Sequence, residues 1–82
     1  MTIANPLRIL LVEDDELFRL GLATRLQRES EFEVVAEASD GETAVEFTNQ
    51  YLPDVVLLDI GLPLGELKPV VKSNNNILIY RF

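Results

Sequence analysis

Residues 7–16 read Leu7-Arg8-Ile9-Leu10-Leu11-Val12-Glu13-Asp14-Asp15-Glu16, and the break inside that stretch decides the fold. Its first six residues form a short, nearly continuous apolar run rich in branched side chains. Such a run, without polar alternation, is the pattern of a strand covered on both faces in a parallel sheet. It stops at four acidic residues in succession. Beyond them Leu17, Phe18, Leu20, Gly21, Leu22 and Leu26 fall on the i, i+3, i+4 rows of an amphipathic helix, with Asp15 as its expected N-cap. Acidic side chains at that point also suit the positive end of a helix.

Further along, Phe32, Val34 and Val35 predict a second strand ending near Ser39-Asp40-Gly41. There Asp40 turns the chain and caps a second helix, from about Glu42 to Tyr51, with Ala44, Val45 and Phe47 as its apolar positions. Pro53 marks the end of that helix, because the residue before proline avoids the helical region. Asp54 to Asp59 encloses Val55-Val56-Leu57-Leu58, a third strand buried on both faces. Strand, helix, strand, helix, strand in this order implies right-handed crossovers and an α/β, three-layer sandwich around a parallel sheet. Sheets of this kind take ligands outside the carboxyl ends of their strands, at the topological switch point. The acidic residues after the first strand are therefore expected beside Asp59.

Composition narrows the chemistry. A chain of 82 residues makes one small domain. It has no cysteine and no histidine, so disulfides, thiolate sites and the usual zinc sites are excluded, and any metal must be held by oxygen. With 14 acidic against 7 basic residues the net charge is −7, which disfavours a nucleic-acid surface. The N-terminus lacks the basic and apolar regions of a signal peptide, and no apolar run approaches the roughly 20 residues needed to span a bilayer. The expectation is a soluble, cytoplasmic protein with no nucleic-acid or membrane partner.

Carboxylates converging from two neighbouring strand ends repel one another unless a cation or proton compensates. Magnesium suits such a pocket, since it prefers carboxylate, carbonyl and water oxygens and leaves positions open for phosphate. An aspartate beside that ion is suited to act as the nucleophile in phosphoryl transfer.

Three stretches, Ile9 to Glu16, Glu37-Ala38-Ser39-Asp40-Gly41 and Asp54 to Pro63, together resemble the receiver domain of two-component response regulators, a flavodoxin-like (CheY-like) fold. The resemblance covers residues 7–63. It implies Asp59 as the phosphoacceptor, Asp14 as a direct magnesium ligand, Glu13 acting through water, and the Gly61 carbonyl completing the set. Asp15, Glu16, Asp40 and Gly41 stay with capping and turn chemistry. The partner it implies is a sensor histidine kinase, and the chain would be a phosphoprotein of a phosphorelay rather than an enzyme, at most phosphorylating itself from a small phosphodonor. The run Leu17-Phe18-Arg19-Leu20-Gly21-Leu22 is similar to the first helix of regulators that carry a C-terminal helix-turn-helix output domain.

The likeness stops after Pro63. Residues 1–63 read as the N-terminal part of a receiver, truncated after the third strand, and residues 64–82 as a divergent tail. That tail offers no clear counterpart of the Ser or Thr, nor of the Lys, that in the family meet the phosphoryl group; Lys68-Pro69 resembles the family's Lys-Pro dipeptide but lacks the strand before it and reads as an exposed loop, so impaired switch output is expected. A short strand is expected at 77–80, pairing either beside the third strand or with another chain, because an uncovered third strand is a template for association. The alternative reading is a non-phosphorylated interaction or homodimerisation module, or a remnant without signalling output.

Overall fold

The computed structural model describes residues 5–58 and 78–81. In chain order the elements are β1 (Leu7–Val12), α1 (Glu16–Gln27), β2 (Phe32–Ala38), α2 (Gly41–Tyr51), β3 (Val55–Leu58) and β4 (Leu78–Arg81). All pair in parallel, in the order β2-β1-β3-β4. The α/β class and the parallel sheet expected from the sequence are thus present. A fourth strand stands at the outer edge of β3, with Val55 opposite Leu78 and Leu58 opposite Arg81, so β3 does not end the sheet.

β1 lies between β2 and β3, and the apolar run explains why. Ile9, Leu10, Leu11 and Val12 are all buried, so the strand can sit only where both of its faces are covered. On one face Leu10 and Val12 cluster with Ala38, Ala44, Val56 and Leu58, and Ala36, Val45 and Phe47 pack against them. That face carries α2. Thr48, also buried there, returns its hydroxyl to the Ala44 carbonyl at 2.7 Å, which satisfies the polar atom inside the helix.

The β1–β2 register slips by one residue: Ile9 is opposite Val34, but Leu10 is opposite Ala36, leaving Val35 as a bulge. In a strand, a one-residue slip exchanges the faces of everything beyond it. Ala36 and Ala38 therefore join the α2 face, and Glu37 between them turns to the α1 face.

Both helices begin where the sequence indicates. Asp15 caps α1 by accepting from the Phe18 N–H at 2.9 Å, and Asp40 caps α2 by accepting from the Thr43 N–H at 2.7 Å. The orientation of α1 differs from the expectation. Leu17, Phe18 and Leu20 are 78, 53 and 60% exposed, whereas the inward row is Arg19, Leu22, Ala23 and Leu26. Apolar residues wrap most of the way around this helix, so period alone does not choose its inner face.

α2 ends on Leu52 in the left-handed conformation (φ 49, ψ 60), a role usually given to glycine, and Pro53 follows. The Leu52 carbonyl accepts from the Arg8 guanidinium at 2.8 Å. Asp54 then closes the amino ends of β1 and β3, accepting from the Arg8 N–H at 2.9 Å while donating its own N–H to the Arg8 carbonyl at 2.9 Å. The other end of the sheet, where the acidic residues emerge, is left for chemistry.

Candidate functional site

The carboxyl ends of β1 and β3 lie side by side because Leu11 pairs with Leu57 and Val12 with Leu58. This is the point in the β2-β1-β3 order at which the chain changes direction across the sheet, the place where α/β folds open a ligand crevice. Glu13 and Asp14 leave β1 there. Asp59 and Gly61, the other two residues expected at the site, lie outside the described residues.

Glu13 is 3% exposed despite its charge. Its N–H continues the ladder to the Ala38 carbonyl at 3.0 Å, and its carbonyl accepts from Arg19 Nη1 at 2.7 Å. Its side chain folds back so that Oε2 accepts from the Asp15 N–H at 2.7 Å. Asp14, by contrast, is exposed, and among the described residues its carboxylate has no partner. One carboxylate is thus built into the fold, and the adjacent one stands in solvent.

Asp15 and Asp40, at the neighbouring strand ends, are taken up by their helix caps, as the sequence indicated. The bond from the Thr43 N–H holds the Asp40 carboxyl below its ordinary range, with the Thr43 side chain adding to the effect. Neither aspartate is available as a ligand without uncapping a helix.

Among the described residues, Glu13 and Asp14 bring only oxygen donors to this end of the sheet, the kind that a hard cation such as magnesium prefers. Among the described residues no three carboxylates gather to hold a metal, so the pair needs a further oxygen donor. Arg19 is the residue that sequence reading missed. It stands on the inward row of α1, where its guanidinium reaches both the Glu13 carbonyl and, through Nε at 3.3 Å, Glu37 of β2. An arginine three and four residues before Leu22 and Ala23 was the available signal.

The response regulator receiver domain family model matches residues 9–66 of the chain. The transcriptional regulatory protein DegU of Brevibacillus brevis is 49% identical over 59 residues, covering 72% of this chain and 25% of that protein. The nitrate/nitrite response regulator protein NarP of Escherichia coli K12 is 39% identical over 59 residues, 72% of this chain and 27% of that protein. The chain therefore spans about a quarter of the length of these curated relatives. Among solved structures, the response regulator domain of Thermotoga maritima CheB superposes with a TM-score of 0.79 at 28% identity, covering 94% of this chain and 61% of that one. No helix among the described residues is long and apolar enough to cross a membrane.

Proposed function

The chain belongs to the response regulator receiver domain family, and we propose that Asp59 is its phosphoacceptor, with a magnesium ion held by Glu13, Asp14, Asp59 and the Gly61 carbonyl oxygen. The observation that carries this reading is the register of β1 against β3. Leu58, which immediately precedes Asp59 in sequence, is paired with Val12, which immediately precedes Glu13 and Asp14. Residues leaving two adjacent parallel strands at the same end are well placed to share one ligand.

Magnesium, when bound, neutralises charge on the oxygens of the transferring phosphoryl group. Asp14 offers its carboxylate directly and Glu13 acts through water. An oxygen of the Asp59 carboxylate attacks phosphorus; the new O–P bond forms as the bond from phosphorus to the donor's nitrogen or oxygen breaks, and that electron pair leaves with the donor. The donor is a sensor histidine kinase or a small phosphodonor. The chain is an acceptor of this group and not a catalyst acting on other molecules. Residues 64–82 offer no clear counterpart of the family's Ser or Thr and Lys, so we propose that phosphorylation of Asp59 within these 82 residues has weak conformational output.

A second reading, an interaction module that works through contacts alone, is favoured by one feature. Leu17 and Phe18 are exposed on α1 and, with Gly21 and Leu22, line an apolar groove beside Asp15. Incubation of the purified chain with magnesium and a labelled small phosphodonor separates the two. Acid-labile label on the wild type, absent from Asp59→Asn, is the expected result. Label on neither removes the phosphoacceptor reading, and size-exclusion chromatography then weighs self-association.

A further inference from the structure

Arg19 occupies a position where a charged side chain needs a reason. It lies on the row of α1 that packs against the sheet, its side chain is only 19% exposed, and withdrawing a guanidinium from water is costly unless its N–H groups are met. Here two of them are met, by a carbonyl and by a carboxylate. Nη1 donates to the Glu13 carbonyl at 2.7 Å, and Nε pairs with Glu37 Oε1 at 3.3 Å. Glu37 is on hand only because the bulge at Val35 turns it toward α1.

The consequence falls on the turn that follows β1. Glu13 is fixed through its N–H to Ala38, through its carbonyl to Arg19, and through its side chain to the Asp15 N–H. Asp14, the next residue, is the exposed carboxylate. Adjacent carboxylates repel when no cation lies between them, so a cation site works best when the main chain holds them in place beforehand. Arg19 meets Asp14's turn at its backbone and spends its charge on Glu37, so it does not occupy the carboxylate a cation would use.

We infer that Arg19 is a positioning residue for the cation site: by tying the Glu13 carbonyl to Glu37 of β2, it fixes the turn from which Glu13 and Asp14 present their carboxylates. The inference rests on the magnesium site proposed above. Positioning and charge make opposite predictions. A nearby cation, acting by charge alone, weakens binding of another, so its removal would tighten magnesium binding. A lost positioning contact loosens it, commonly by about 10- to 100-fold for groups that orient ligands.

The test is calorimetric titration of the full chain with Mg2+ alone, with circular dichroism of each variant to show that it is folded. Arg19→Gln is expected to bind Mg2+ at least about tenfold more weakly. Arg19→Lys, which can still donate to the Glu13 carbonyl, recovers part of that loss. Glu37→Gln keeps the bond to Glu13 but removes the ion pair, and falls between wild type and Arg19→Gln; because loss of a negative charge also weakens binding by charge alone, Arg19→Lys, which keeps the charge and is expected to bind more weakly than wild type, decides the matter if Arg19→Gln does not fold. Unchanged or tighter binding in the folded variants, with the wild type binding, overturns the role of Arg19 alone. A wild type that takes up no Mg2+ overturns the cation site, and this inference with it.

Discussion

Glu13→Gln separates the cost of a buried carboxylate from its use. Glu13 is 3% exposed, and its Oε2 accepts the Asp15 N–H at 2.7 Å, a bond that the glutamine carbonyl oxygen can also accept. A charge-assisted bond becomes a neutral one, but the burial of a charge is relieved at the same time, so magnesium-free stability should change by no more than about 1 kcal/mol. The effect on the cation is larger. A unit negative charge about 5 Å from a doubly charged ion, a water-mediated separation, is worth about 1.7 kcal/mol even with water-like screening, or about 17-fold in affinity. At a magnesium concentration about 100 times the wild-type Kd, binding adds about 2.7 kcal/mol to wild-type stability and only about 1.1 kcal/mol to the variant. Urea unfolding with EDTA and with Mg2+, for both proteins, reads all four quantities. An equal magnesium increment in the two proteins refutes the assignment of Glu13, and a magnesium-free loss above about 3 kcal/mol refutes the claim that its carboxylate serves the ion more than the fold.

Four further outcomes follow from the packing and the caps. Leu10→Ala empties a fully buried position between α2 and the sheet, and should cost about 2–5 kcal/mol by denaturant unfolding. Asp54→Ala removes the acceptor of the Arg8 N–H at the amino end of β1 and should cost about 1 kcal/mol by the same assay, with no change in Mg2+ affinity because the site is at the opposite end. Thr48→Val leaves the Ala44 carbonyl with its helical N–H and replaces a buried hydroxyl by a methyl, so its thermal midpoint should stay within a few degrees of wild type. Asp40 has a carboxyl pKa held below its ordinary value of 3.8 by the Thr43 N–H, so its contribution is full above that value and is lost as pH falls through the lower, folded value. Asp40→Asn, which can still cap α2, should flatten that part of the acid unfolding curve.

The sheet was legible because its signals are local. Ile9 to Val12 and Val55 to Leu58 are runs that only a doubly covered strand accommodates, and Asp15 and Asp40 stand one helix apart as caps. The inner face of α1 was not legible. Leu17, Phe18 and Leu20 compete with Leu22, Ala23 and Leu26 for the same period, and the choice between them depends on Arg19 reaching Glu13 and Glu37, contacts that span two other elements. The bulge at Val35 left one trace, the three adjacent apolar residues Val34, Val35 and Ala36 in a strand that otherwise alternates, but its effect on Glu37 appears only once β1 fixes the register. Leu52 in a left-handed conformation has no sequence signal, since glycine is the residue that position favours. At the site, the carboxylates of Glu13 and Asp14 stand at the strand end where they were expected, while Asp59 and Gly61 lie outside the described residues.

Chemical mapping of the acceptor tests the central claim most directly. The chain is incubated with Mg2+ and a small phosphodonor, reduced with borohydride to convert an acyl phosphate on aspartate to homoserine, and digested for mass spectrometry. Homoserine at position 59, with Asp14, Asp15, Asp40 and Asp54 unchanged, is the predicted result. Homoserine at any of those four with Asp59 intact would contradict the account.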